Sequence, residues 1–321
     1  MRKLVYYLKQ GSMKPQKLIR LLFIFLLAAL VMTACEKSEP EDIPPDSSSV
    51  QQLSKDDNSV EDNTDEVMID AANVLAGTGL NKNLGLPCNV TLDSVFIVND
   101  TIIYHLTYDG LNCIKTKFRK GVVIIKIKLN TQWHMPGAFL TVEFHNYEVT
   151  RVFDGKMMVI NGMSRLENVN GGVIELLGNG VSMVIHKNTS HVFIAFNGHP
   201  PRDWHLTRHM VYTGTQGALV LAVNGFGFSQ GYDNLLSWGT DREGKKFYTQ
   251  ISESVVFRQA CLWVPYSGRQ VYSIPANDIK ATAIFGYNNN NEPISAGECP
   301  SRYRLDWNQH GHSGTLYLPL N

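Results

Sequence analysis

Val95-Phe96-Ile97-Val98-Asn99-Asp100-Thr101-Ile102-Ile103-Tyr104-His105-Leu106 decides the fold class. Two runs rich in β-branched and aromatic residues flank Asn-Asp, a pair that tolerates positive φ at both centres of a tight turn. The stretch therefore predicts a two-residue β-hairpin. Working outward, Val122 to Leu129 alternates apolar residues with lysine, which puts one face in a core and the other in water. Phe139–Phe144 and Tyr147–Phe153 continue the pattern, and Asp154-Gly155 turns the chain into Lys156–Ile160. No stretch after Asn81 holds a capped, 3.6-residue period over three turns, and the one helix expected is short, near Glu66 to Leu75. The reading is all-β: an antiparallel meander forming a large twisted sheet or sandwich, with its strands running from Leu84 to Asn321.

Asn161, Asn170, Asn179, Asn188 and Asn197 recur every nine residues, and glycine follows all but Asn188. Seven strand residues plus a two-residue turn make nine, so the spacing predicts four short up-and-down strands. A calcium-binding nonapeptide β-helix would need an aspartate in each loop, and Asn161 to Asn197 has none. A change of domain is expected near residues 198–203, where glycine and two prolines interrupt the strands.

The 321 residues balance 29 Lys+Arg against 29 Asp+Glu, with 44% hydrophobic and 18% charged residues. That apolar content excludes wholesale disorder, and the neutral balance argues against a nucleic-acid partner. The charges are segregated, however. Every charged residue before Cys35 is basic, while Glu36 to Glu66 carries 11 acids against two lysines. The remainder is mildly basic.

Residues 1–34 read as a lipoprotein signal peptide. Lys14, Lys17 and Arg20 precede a 12-residue apolar run, Leu21 to Met32, which is short for a membrane span. Met13 gives a more typical signal-peptide start than Met1. Met32-Thr33-Ala34-Cys35 resembles a bacterial lipobox, which implies cleavage and acylation at Cys35, and two or three acyl chains would hold the protein on a membrane. Cys35-Glu36-Lys37-Ser38-Glu39 resembles the export tether of surface lipoproteins in Bacteroidota, so the expected location is the outer membrane, on its periplasmic face or the cell surface. Residues 35–66 are rich in Ser, Pro, Asp and Glu and poor in large apolar groups. They are expected to form an acidic disordered tether ahead of a β-rich domain at residues 67–321.

Four further cysteines, Cys88, Cys113, Cys261 and Cys299, suit disulfides in an exported domain. Of three connectivities, Cys88–Cys113 with Cys261–Cys299 closes the shortest loops. No Cys-x-x-Cys pair exists to favour zinc.

Candidate chemistry is sparse, and no catalytic residue, metal or cofactor is assigned. Gly227-Phe228-Ser229-Gln230-Gly231 has the form of a nucleophile elbow, followed in order by Asp306 and His310, yet no helix can follow it before Gly239. His199, His205 and His209 could meet at a metal if the segment were helical, with His310 or His312 adding a ligand. On a strand, His205 and His209 stand about 13 Å apart. Lys115, Lys117, Arg119, Lys120, Lys126 and Lys128 form a basic patch. With Trp133 nearby, Lys126 and Lys128 are the candidate contacts for an acidic glycan or an envelope protein, against the alternative of a solvated sheet face.

Asn112-Cys113, Arg119–Val123, Pro136-Gly137, Phe144–Val149, Cys261–Gly268, Cys299-Pro300 and Tyr303–Trp307 together resemble a group of uncharacterised lipoproteins from Bacteroidota. The resemblance covers most of Cys88 to Leu318 and implies an all-β envelope lipoprotein without an established activity. The expected function is a lipid-anchored envelope protein with a binding or structural role. The alternative is an envelope hydrolase or metal-dependent enzyme built on Ser229 or the His199/His205/His209 group.

Overall fold

The computed structural model describes residues 47–79 and 86–320. The signal peptide, Cys35 and the tether as far as residue 46 lie outside the described residues.

From Val90 onward the chain is strand and turn. The strands are β1 (Val90–Val98), β2 (Thr101–Leu111), β3 (Lys117–Lys128), β4 (Ala138–Arg151), β5 (Met157–Asn168), β6 (Met183–Phe196), β7 (Arg202–Thr213), β8 (Val220–Asn224) and β9 (Gly227–Ser229). They continue as β10 (Tyr232–Thr240), β11 (Lys246–Arg258), β12 (Pro265–Ile274), β13 (Ile279–Tyr287), β14 (Arg302–Gln309) and β15 (His312–Pro319). All belong to one antiparallel sheet in nearly sequential order, with β7 pairing β10 and the short β8 and β9 set beside that path. The all-β meander is thus as expected, in its single-sheet form.

The opening hairpin forms as read. Asn99 and Asp100 take φ of 46° and 59°, and Val98 pairs with Thr101. Asp154-Gly155 turns β4 into β5, but the two runs before it are one strand. An extra residue at Asn146 (φ 49°) bulges β4, so its buried side chains are Ala138, Leu140, Val142 and Phe144, then Tyr147 and Val149. The Asn146 N–H donates to Asn161 Oδ1 at 2.7 Å. Opposite the bulge, Gly121 has φ +120°, and a Cβ there would lie 2.3 Å from the Asn146 carbonyl oxygen.

The nine-residue asparagine spacing does not make four short strands. Asn161 and Asn188 sit inside long strands of 12 and 14 residues, β5 and β6. Asn170, Asn179 and Asn197 lie in the turns around them. The repeat mixes a bulge acceptor, a buried core amide and turn residues whose similar spacing has no common cause. Nor is there a domain change near 198–203. Gly198 to Pro201 is a turn, and β6 and β7 pair continuously from Met183↔Thr213 to Ile194↔Arg202.

The largest departure lies before the strands. Ser47–Gly79 forms one 33-residue helix, α1, where a tether to Glu66 followed by a short helix is expected. Val50, Leu53, Asp57, Val60, Thr64, Val67, Ala71 and Val74 recur at alternating steps of three and four, the spacing of a buried helical seam. All eight are buried in the main core, or hydrogen-bonded within it in the case of Asp57 and Thr64. Among its described side chains, a narrow stripe that includes Lys55, Asn58, Asp62 and Ile69 is exposed. Side chains from β2, β3, β5, β7, β10, β12 and β14 all touch α1. The inner face of the sheet therefore curls around the helix. Composition fails to reveal this because two seam positions are polar and the helix's charge partners lie on the sheet, at least 49 residues away for Arg119–Asp70.

Two disulfides pin the ends of the loops: Cys88–Cys113 and Cys261–Cys299, with Cα separations of 5.2 and 5.4 Å. Among the described residues no helix is long and apolar enough to cross a membrane.

Candidate functional site

Alternation along each strand divides the polar side chains into an interior set that meets α1 and an exterior set. On β3, Lys117 and Arg119 fall on the same side as the buried Val123, Ile125 and Ile127. The basic patch is therefore split by the strand itself. Lys117 pairs with Asp62 at 2.5 Å and Glu66 at 3.0 Å, and Arg119 pairs with Asp70 at 2.7 Å and Glu66 at 3.3 Å. Outside, Lys126 is tied to Glu143 at 2.5 Å, and Lys120 stands across from Glu148. Lys128 is exposed at the strand end, and Lys115 sits in a turn with φ of 60°. Trp133 does not join them. It is buried with its ring 5.2 Å from His186, and its carbonyl accepts from Asn168, because the β3–β4 loop folds onto the core there. The expected Lys126/Lys128/Trp133 contact surface is not assembled.

The interior network continues along α1. Arg208 on β7 makes a two-pronged pair with Asp65 and lies 3.8 Å from Glu61. Arg242 grips Asp56 at 2.7 and 2.8 Å, with Arg202 at 3.6 Å. Ser237 donates to Asp57 at 2.6 Å, and Ser54 lies 3.2 and 3.3 Å from the Tyr272 and Tyr303 hydroxyls. Carboxylates outnumber cations around Arg208, and burial penalises their charge. Burial pushes Glu61 up to about 8, with Asp57, Asp65 and Asp62 adding repulsion against the pull of Arg208. Burial likewise raises Asp57 to about 6, offset in part by the hydrogen bond from Ser237 and the charge of Arg208. Burial alone lowers His186 to about 4.

On the exterior, the residues of the supposed elbow form a hairpin instead. Gly227–Ser229 pairs only with β10, through the turn at Gln230-Gly231. Asp306 is engaged by Arg304 and Thr315, and His310 lies 3.4 Å from Asp278. No triad is brought together.

The expected trio His199, His205 and His209 is also separated. His199 is in the β6–β7 turn, and His205 and His209 are four residues apart on one strand. A different partner replaces them. The register of β6 with β7 sets His191 directly across from His205, and both meet Asp203. His191 Nε2 is 2.8 Å from Asp203 Oδ1, and His205 Nε2 is 3.3 Å from Asp203 Oδ2. The two imidazoles stack with centroids 4.2 Å apart, and Trp238 of β10 stacks on the far side of His205 at 4.9 Å. Burial pushes the His205 imidazole below its usual range, opposed by Asp203 and reinforced by His191 and Lys246. Sequence reading overlooks His191 because its link to His205 is across a hairpin. A two-residue turn at Asn197-Gly198 would have set His191 across from Trp204; the observed register, Ile194 with Arg202, is one residue off that and brings His191 to His205.

The fold and site thus define a single antiparallel meander wrapped around a buried polar helix. No protein-family model matches the chain, and no curated protein or solved structure matches it either.

Proposed function

We propose that this is a lipid-anchored envelope protein with a binding or structural role, attached to the bacterial outer membrane through acylated Cys35. One observation carries the reading: α1 starts at Ser47, 12 residues after Cys35, and is clamped inside the sheet by charge pairs along its length. In this reading α1 is the element through which the anchored chain enters the core, and the sheet's outer face is the surface left for a partner. A glycan or an envelope protein would meet that outer face. The interior offers it no room, since α1 fills it.

The test is labelled-palmitate incorporation with membrane flotation of the full chain in a bacterial host. The wild type is expected to take up label and float, while Cys35→Ala stays unlabelled and sediments with the same melting temperature. Label or flotation persisting in Cys35→Ala would overturn the reading.

A further inference from the structure

We propose that His191, Asp203 and His205 form a binding site for a borderline divalent transition-metal cation such as Zn²⁺, Ni²⁺ or Cu²⁺, on the outer face of the sheet. The donor set is two imidazoles and one carboxylate, which suits these ions and disfavours Mg²⁺ and Ca²⁺, whose ligands are all oxygen. One ligand atom from each residue lies within 4.8 Å of the others. A tetrahedral ion with bonds of about 2.0–2.1 Å holds its ligands about 3.3 Å apart. Of the two carboxylate–imidazole separations, the 3.3 Å from His205 to Asp203 Oδ2 matches that spacing and the 2.8 Å from His191 to Asp203 Oδ1 is shorter. Closing on an ion requires the two imidazoles to tilt out of their parallel stack until both lone pairs converge on it, and the carboxylate to turn one oxygen inward.

The support is as telling as the donors. His205 and Asp203 are two residues apart on β7 and so share a face, and His191 is fixed opposite by a ladder that runs unbroken on both sides. His205 is held between the His191 ring and Trp238, whose plane is within 3° of its own. Phe193 packs beside His191 at 5.2 Å. Paired strands fix where the three ligand side chains originate, as a loop does not. His191, Asp203 and His205 side chains are 50%, 33% and 26% exposed, so the ion would have an open path and would keep coordination positions facing solvent. Those positions could hold water or a donor from a docking partner.

Trp238 supplies the readout. A paramagnetic ion at His205 would quench the indole stacked on it. The experiment titrates NiCl₂ into the purified full chain while following tryptophan fluorescence, repeats it with ZnSO₄ by calorimetry, and reverses both with EDTA. One ion per chain and an EDTA-reversible quench are expected. His191→Ala and His205→Ala should each weaken binding by at least about tenfold, as loss of one of three ligands demands. His209→Ala, on the same strand face but outside the cluster, should bind as the wild type does. Asp203→Asn keeps the side-chain shape and serves if a histidine variant misfolds; it should also lose about tenfold. No saturable binding by the wild type, unchanged binding in His191→Ala/His205→Ala, or an equal loss in His209→Ala would overturn the assignment.

Discussion

Glu61 makes the stability of this fold depend on pH in an unusual direction. Its carboxyl is buried beside Asp57, Asp65 and Arg208 and is raised from 4.5 to about 8. The folded protein therefore holds a proton on Glu61 that the unfolded chain releases between those values. Where the native state binds the extra proton, stability falls as pH rises, at up to about 1.4 kcal/mol per pH unit. Other groups confuse the lower part of the window. Asp57, raised to about 6, has the same sign up to that pH, whereas His186, lowered to about 4, makes stability rise with pH up to about 6.5. Between pH 6.5 and 8 the Glu61 contribution stands most nearly alone. The wild type should lose roughly 2 kcal/mol across that interval. For a domain of this size that is about 4–8 °C in melting temperature. Glu61→Gln keeps the shape and cannot ionise, so its melting curve should be nearly flat over the same interval and should lie above the wild type at pH 8. Differential scanning calorimetry at half-unit steps reads both. Parallel curves for the two proteins, or a wild type that gains stability toward pH 8, would refute the reasoning.

The charge clamp makes a second prediction: Arg208→Met leaves Asp65, whose side chain is 36% exposed, without its cation and should cost about 1–3 kcal/mol in urea unfolding, with Arg208→Met/Asp65→Leu recovering much of it. Replacing Cys88 and Cys113 with serine should lower stability by about 3–4 kcal/mol, because the bridge closes a loop with a separation of 25 residues. Unchanged denaturation midpoints would argue that the unfolded chain is already compact there. Gly121→Ala should destabilise by at least about 1–3 kcal/mol, since its Cβ would strike the bulge carbonyl at a φ that side chains rarely adopt. Gly137→Ala, with open space around it, should cost less, through its φ of +74° alone.

The parts of the fold that are legible in the sequence are those fixed by neighbours. The Asn99-Asp100 hairpin, the alternation on β3 and the two disulfides all depend on residues close in sequence or on loop closure. The helix is illegible for the opposite reason. Asp56, Glu61, Asp65 and Asp70 look like a solvated acidic run until Arg242, Arg208 and Arg119 are laid against them, and nothing local announces those partners. The same fact undoes the basic patch, because Lys117 and Arg119 are the inner half of that pairing. In the exterior cluster, Asp203 and His205 stand two residues apart in the sequence. His191 required the β6–β7 register, which the longer connection from Ile194 to Arg202 sets and no local pattern announces.

The wrapped helix also sets the order in which the chain can finish folding. Ser54 is complete only when Tyr303 arrives, 249 residues later. Contacts of that separation make for slow folding, and the segment must wait through it. An ordinary apolar core helix left waiting would be a nucleus for aggregation. This one is studded with aspartate and glutamate, so it stays soluble until the sheet delivers its arginines. The very composition that disguises it as a tether is what lets the N-terminal element of the described residues be the last one enclosed.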